Sequence, residues 1–310
     1  MNTIDHCKIC SSTGIKRVKT YDVISSNHPD LLAAFGDHVR VRVGLSICVK
    51  CGFVFHDRVL SHDELVKVYL REDRITKKKN SMQKQVLLAR AVHFIESKFD
   101  LAKISSGIDV GSGDFALLEA LSKDFPNVKF DAVNISYKED HYKNIRVFHS
   151  MLEDMKEGAT TKYQFVILSH ILEHVADFKS FFRGLDTIIN NKTKLYIEVP
   201  FQVGPNILLD RGYHAQHINY FTPLTLKYLL KSFGYKLDNL EFDTQGGYFY
   251  YGIPGIIRAG FSRAEGVGVV HTSAKSVAYS VYFLLSPLIY VSGKFKGLFC
   301  KKDAFSSVEG

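Results

Sequence analysis

Two cysteine pairs and one glycine turn are the residues whose types and spacing could do chemistry. Cys7-Lys8-Ile9-Cys10 and Cys48-Val49-Lys50-Cys51-Gly52 each offer two thiolates from one tight loop. Zinc takes four such soft ligands in a tetrahedron, so Cys7, Cys10, Cys48 and Cys51 are read as one zinc site. With all four positions filled that ion would be structural, with no coordination position left for substrate. Redox chemistry is the alternative use of these thiols. Gly52 suits the left-handed turn of such a knuckle, and Gly14 offers the same after the first pair. His6 and His56 are read as neighbours, not ligands, and Cys300 is left over. The second signal is Ile108-Asp109-Val110-Gly111-Ser112-Gly113-Asp114. Glycines between a strand and a helix let the backbone approach a ligand at the strand's carboxyl end, next to a helix N-terminus.

The elements that must position these residues follow from periodicity. Val39 to Val43 alternates and predicts a strand, and an inserted loop is expected around Asn27-His28-Pro29. Ser61-His62-Asp63-Glu64 is a capping box opening a short helix, and a second helix is expected over 81–98. After the glycine turn, strands are expected at 129–135, 146–149, 164–169 and 194–199. Helices are expected after Asp177 and from Thr222-Pro223 to Phe233, stopping at Gly234. Two closing strands, 236–242 and 248–252, complete a doubly wound, seven-stranded α/β sheet of Rossmann-like type, preceded by the small four-cysteine module. The expected units are a zinc-binding module over 1–60, a helical connector over 61–105, the sheet domain over 106–253 and a C-terminal extension over 254–310.

Composition narrows the partners. The 310 residues carry 40 Lys and Arg against 32 Asp and Glu, a net charge of +8. The basic residues are spread out, and the densest run, Arg71 to Lys79, has no aromatic interleaving, so no nucleic-acid partner is expected. The N-terminus lacks the apolar core of a signal peptide, and a cytoplasmic chain is expected. Residues 276–293 contain no charged residue and are followed by Lys294, Lys296, Lys301 and Lys302. This stretch is read either as a buried or interface helix or as a helix lying on the inner membrane face through residues 276–302. The oligomeric state is left open.

Residues 1 to about 245 resemble the class I S-adenosylmethionine (SAM) methyltransferases, in particular the sugar C-methyltransferases that carry an N-terminal zinc module. Asp109 to Asp114 is similar to the first motif of that family, Leu168-Ser169-His170-Ile171-Leu172-Glu173-His174-Val175 to its fourth-strand motif, and Ile197-Glu198-Val199-Pro200 to its fifth strand. Gln216-His217-Ile218-Asn219-Tyr220-Phe221-Thr222-Pro223 is similar to the segment holding the catalytic histidine. The chain departs from the pattern at Phe115, in place of a third glycine, and at Asn134, in place of an acidic residue on the ribose hydroxyls. It also has Ala215-Gln216-His217 where the C-methylating relatives have His-Glu-His.

The resemblance implies a SAM site formed by Asp109, Gly111, Ser112, Gly113, Asn134, Met151, Leu152 and Ser169, with Ser150 beside the adenine. It implies His217 as general base, with His170 and Tyr213 assisting, since an imidazole titrates near working pH. His174 is expected to pack, and Glu173 to cap the next helix. The expected activity is methyl transfer to oxygen or carbon of a sugar, nucleotide-linked or within a surface glycan. The competing readings are an NAD-dependent sugar oxidoreductase on the same sheet and a non-catalytic, zinc-containing SAM-binding scaffold.

Overall fold

The structure, a computed structural model, describes residues 1–70, 82–136, 145–155, 162–203, 216–243 and 255–264. The expected strand at 248–252, Tyr213, Cys300 and the apolar stretch 276–302 lie outside the described residues. No helix among the described residues is long and apolar enough to cross a membrane.

The N-terminal part is antiparallel. Strand β1 (Asn2–Thr3) is followed by β2 (Ile15–Ile24), helix α1 (Pro29–Phe35), β3 (Arg40–Cys48), β4 (Val54–His56) and β5 (Arg58–Val59). In place of the loop expected around 27–29, Pro29 opens α1, because proline fits the first helical position without losing a hydrogen bond. Helix α2 (His62–Leu70) starts at the predicted capping box. There the Ser61 amide donates to Glu64 Oε2 (2.7 Å) and the Glu64 amide to Ser61 Oγ (3.4 Å). Helix α3 (Met82–Lys98) leads to the sheet.

Next come β6 (Ser106–Val110), α4 (Ala116–Asp124), β7 (Lys129–Val133), β8 (Arg146–Phe148), β9 (Tyr163–Ser169), α5 (Phe178–Ile188) and β10 (Ile189–Phe201). The chain then passes through β11 (Asn219–Tyr220), α6 (Pro223–Ser232), β12 (Tyr235–Asp243) and β13 (Gly255–Arg263). The seven-stranded sheet has the order β12-β13-β10-β9-β6-β7-β8. The pairs β8-β7, β7-β6, β6-β9 and β9-β10 are parallel, and β13 runs antiparallel to both β10 and β12. The expected doubly wound sheet is therefore present. Its seventh strand is Gly255–Arg263, past residue 253. That strand is buried along almost its whole length, but its two glycines and Arg258 hide it from a search for alternation or apolar runs.

Apolar residues cover both faces. On one face α3 and α4 pack Phe94, Ile95, Phe115, Leu118 and Leu121 against Phe130 and Phe165. On the other, α5 and α6 join a single core that continues into the N-terminal module. Phe53 of the module lies 5.4 Å, ring centre to ring centre, from Phe221 and 6.3 Å from Phe178. The two parts also share a sheet: β11 pairs with β4, giving the order β11-β4-β3-β2.

Candidate active site and cysteine cluster

The two cysteine knuckles are near-repeats of one backbone turn. The Ser11 amide donates to Cys7 O and the Gly52 amide to Cys48 O, both at 2.9 Å. Ile9 N and Lys50 N point at Cys7 Sγ and Cys48 Sγ, both at 3.4 Å. Gly52 has φ 75°, and the equivalent left-handed position in the first knuckle is Ser11, φ 55°. The expectation for Gly14 is thus corrected: the turn closes four residues after the first cysteine, and Gly14 lies beyond it. Cys7 and Cys51 sulfurs are 3.5 Å apart, Cys10 and Cys48 sulfurs 3.6 Å, and all four lie within 4.8 Å of one another. Ligands about 2.3 Å from a tetrahedral zinc stand about 3.8 Å apart, so the four sulfurs match that spacing. His6 pairs with Asp5 and His56 with the Tyr220 hydroxyl (3.1 Å), so both stay outside the cluster.

The knuckle reaches the sheet domain directly. Lys8, between the first two cysteines, donates from Nζ to Asn219 Oδ1 (2.7 Å) and to Val175 O (3.3 Å). Asn219 in turn donates to Leu172 O and Val175 O, both at 2.8 Å. The cysteine cluster therefore abuts the turn after β9 and the segment carrying His217.

A cavity of about 780 Å³ opens at the carboxyl ends of β6 and β7, beside β9. Strand order reverses at β6, and ligands of doubly wound sheets bind at such a switch point. The volume falls within the roughly 300–1,000 Å³ of small-molecule sites. Gly111, Gly113, Asn134, Met151 and Leu152 line it, as do Ser150 and His170. Asp109, Ser112, Ser169 and His217 are not part of its wall. Gly111 has φ 73°, and a Cβ there would sit 2.1 Å from the Ile171 side chain. The loop therefore depends on glycine for both its conformation and its close approach. Asn134 uses its side chain inside the fold. It donates to Gly113 O (3.1 Å) and accepts from the Ser136 amide (3.1 Å) and hydroxyl (3.0 Å), tying the ends of β6 and β7 together. Phe115 is itself left-handed, φ 62°, with its ring wholly buried. Burial pushes the Asp109 carboxyl up to about 8, and its Oδ1 has no hydrogen bond, so it is largely neutral at pH 7.

On the other side of the cavity lies a chain of ionisable groups. His170, at φ 55°, sets Nδ1 3.2 Å from Glu173 Oε1 and Nε2 3.1 Å from Glu198 Oε1. Burial works against the imidazolium, but hydrogen bonds and charge from both glutamates outweigh it and raise the His170 pKa well above 6.5. With both ring nitrogens donating, His170 is a cation at neutral pH and the wrong form for a base. Glu198 continues to Arg258 Nε (2.6 Å) and accepts from the Tyr196 hydroxyl (2.9 Å). Arg258, wholly buried, also reaches Asp243 (2.9 Å) and Glu241 (3.2 Å). Burial would raise Glu173 and Glu198, yet His170 and the neighbouring cations hold both below 4.5.

His174 and His217 meet edge to face, ring centres 4.7 Å apart. His174 Nδ1 donates to Gln216 O (3.0 Å) and His217 Nδ1 to Gln202 Oε1 (2.7 Å). Both acceptors are oxygens, so each ring commits an Nδ1 proton to that bond, and His174 Nε2 lies 3.8 Å from Glu173 Oε1. His174, expected only to pack, thus belongs with His217. Glu173, expected as a cap, is instead an ion-pair member whose main-chain oxygen accepts from Ile218 N (2.9 Å) and Asn219 N (3.1 Å). Sequence reading missed Glu198 and Arg258 as site residues. The signal was one charge set within the apolar run of each of two central strands, Glu198 in Leu195–Phe201 and Arg258 in Ile256–Phe261.

A family model described as a methyltransferase domain matches residues 81–240, just over half of the chain. No curated protein matches the chain. Among solved structures the chain is similar to the Burkholderia thailandensis 1,6-didemethyltoxoflavin-N1-methyltransferase with bound 1,6-didemethyltoxoflavin and S-adenosylhomocysteine. The TM-score is 0.51 at 12% identity, over 69% of this chain and 95% of that one. A coclaurine N-methyltransferase bound to N-methylheliamine and S-adenosylhomocysteine gives 0.48 at 12%, over 61% and 74%. A SAM-dependent methyltransferase from Archaeoglobus fulgidus gives 0.45 at 17%, over 60% and 96%. The first of these likenesses speaks for the fold; the family match speaks for the chemistry and removes the oxidoreductase reading of the glycine turn. The chain belongs to the methyltransferase domain family.

Proposed function

We propose that this methyltransferase takes its methyl group from SAM held at Gly111, Gly113, Asn134, Met151 and Leu152, and passes it to a sugar. Asp109, Ser112 and Ser169 sit beside these residues in the glycine turn and at the strand ends, outside the cavity wall. The observation that carries the reading is the switch-point cavity, with a glycine backbone on one side and imidazole groups on the other. Such a site aligns a sulfonium carbon with an acceptor atom, and alignment supplies much of the rate of an in-line displacement. The acceptor must also lose a proton. His217 is the residue on which that loss depends, because Gln202 orients its ring through Nδ1, whereas His170 holds its protons between two carboxylates. The imidazole, carboxylate and amide groups of this rim suit a polyhydroxylated acceptor, nucleotide-linked or within a glycan, at oxygen or carbon. Zinc at Cys7, Cys10, Cys48 and Cys51 serves structure, fixing Lys8 against Val175 and Asn219.

The test is His217→Ala with nucleotide sugars as acceptors. Turnover is expected to fall on the order of a hundredfold or more while affinity for S-adenosylhomocysteine stays within about threefold. Turnover close to wild type would remove His217 from proton transfer.

A further inference from the structure

Glu173, His174 and His217 each place one ligand-type atom so that all three lie within 4.8 Å of one another. Four features make the cluster more than a coincidence of polar groups. Both imidazoles are oriented by an oxygen acceptor on Nδ1, the outer contact that commonly positions a metal-binding imidazole. The Glu173 side chain is only 1% exposed. Its Oε2 has no hydrogen bond, and an unsatisfied buried carboxylate oxygen is costly unless something outside the chain completes it. His174 lines the cavity, so the cluster borders space that an acceptor can enter.

We propose that Glu173, His174 and His217 bind one divalent transition-metal ion, distinct from the cysteine cluster. Two imidazoles and one carboxylate make a three-ligand set that leaves coordination positions open, as in catalytic rather than structural sites. The inference rests on the methyltransferase reading, and it refines the role of His217. With the ion bound, His217 acts through it as a ligand and is not itself the base. An acceptor hydroxyl takes an open position, where the cation lowers its pKa and its proton passes to solvent. The oxygen lone pair then forms the new O–CH3 bond while the C–S bond of the sulfonium breaks, its electron pair remaining on sulfur. The products are the methyl ether, S-adenosylhomocysteine and one proton, and the ion keeps its charge. The substrate class is therefore an oxygen acceptor, which selects O-methylation over C-methylation.

The test is Co2+ titration of the full chain followed by visible absorption. Cobalt bound by the cysteines shows a thiolate-to-metal charge-transfer band, whereas cobalt at Glu173, His174 and His217 does not. One Co2+ per chain without that band is expected, its affinity weakened on the order of a hundredfold in Glu173→Gln and in His174→Ala. Should Glu173→Gln fail to fold, His174→Ala carries the comparison, because that side chain is already 20% exposed. S-adenosylhomocysteine affinity, measured on the same samples, reports on the methyltransferase reading separately. Binding of S-adenosylhomocysteine with no cobalt outside the thiolate site, or cobalt bound equally well by both variants, would overturn the metal site.

Discussion

Replacing Arg258 with methionine tests whether the buried ionic chain beneath the cavity is a real energetic unit. Arg258 is wholly buried and contacts Glu198, Asp243 and Glu241. Methionine fills most of the volume but leaves the carboxylates without that guanidinium. Breaking a buried pair by removing one partner costs about 3–5 kcal/mol. The discount here can be read from the contacts. Asp243 keeps Arg90 at 2.7 Å, Glu198 keeps His170 and Tyr196, and Glu241, 44% exposed, stays in water. The expected loss therefore sits near the lower end, about 3 kcal/mol, or about 6–12 °C in melting temperature for a domain of this size. The assay is urea or thermal unfolding of wild type, Arg258→Met, Glu198→Gln and the double variant. The double variant should be clearly more stable than the sum of the single losses predicts, because Glu198 is a problem only while it is charged and unpaired. Melting of Arg258→Met within about 1 °C of wild type, or strict additivity in the double variant, would refute the reasoning.

Three further outcomes follow from the geometry. Elemental analysis should find zinc bound by the wild-type cysteine cluster, and Cys48→Ser should release it and weaken turnover more than S-adenosylhomocysteine binding, because Lys8 contacts Val175 and Asn219; retention of the metal would disprove the ligand set. Gly111→Val should reduce S-adenosylhomocysteine affinity at least tenfold, about 1.4 kcal/mol, since its Cβ meets Ile171 and its φ is 73°; calorimetry on a folded variant checks this. In the ionic chain, the raised pKa of His170 contributes stability fully below 6.5 and loses it as pH rises through the folded value. The lowered pKa values of Glu173 and Glu198 contribute fully above 4.5 and are lost as pH falls through theirs. The stability gap between wild type and His170→Gln should accordingly be largest between pH 4.5 and 6.5 and shrink as pH rises through the folded His170 value; a gap independent of pH would deny the ion pairs.

Local chemistry made much of this legible in the sequence. Cysteine spacing marked the metal-type cluster, and the glycine turn marked the cavity because backbone approach needs glycine at Gly111. The capping residues Ser61, Asp177 and Thr222 located helix starts, each confirmed by a side-chain hydrogen bond. What could not be read depends on pairing across distance. Glu173, Glu198 and Arg258 come from a turn and two strands far apart in the chain, and only the sheet brings them into line. The seventh strand was hidden because Arg258 satisfies itself with those partners in a place that apolar periodicity would forbid. Ser11 took the role assigned to Gly14 because hydrogen bonding, not residue type, sets where the knuckle turns. The docking of the cysteine module through β11 was invisible for the same reason, since a two-residue strand has no periodicity.

The central claim is that the switch-point cavity holds the methyl donor. Isothermal calorimetry of the purified chain with S-adenosylhomocysteine, and separately with NAD, tests it most directly. One S-adenosylhomocysteine per chain is expected, abolished or weakened at least tenfold by Gly111→Val, with no heat from NAD. Binding of NAD without binding of S-adenosylhomocysteine would contradict the account.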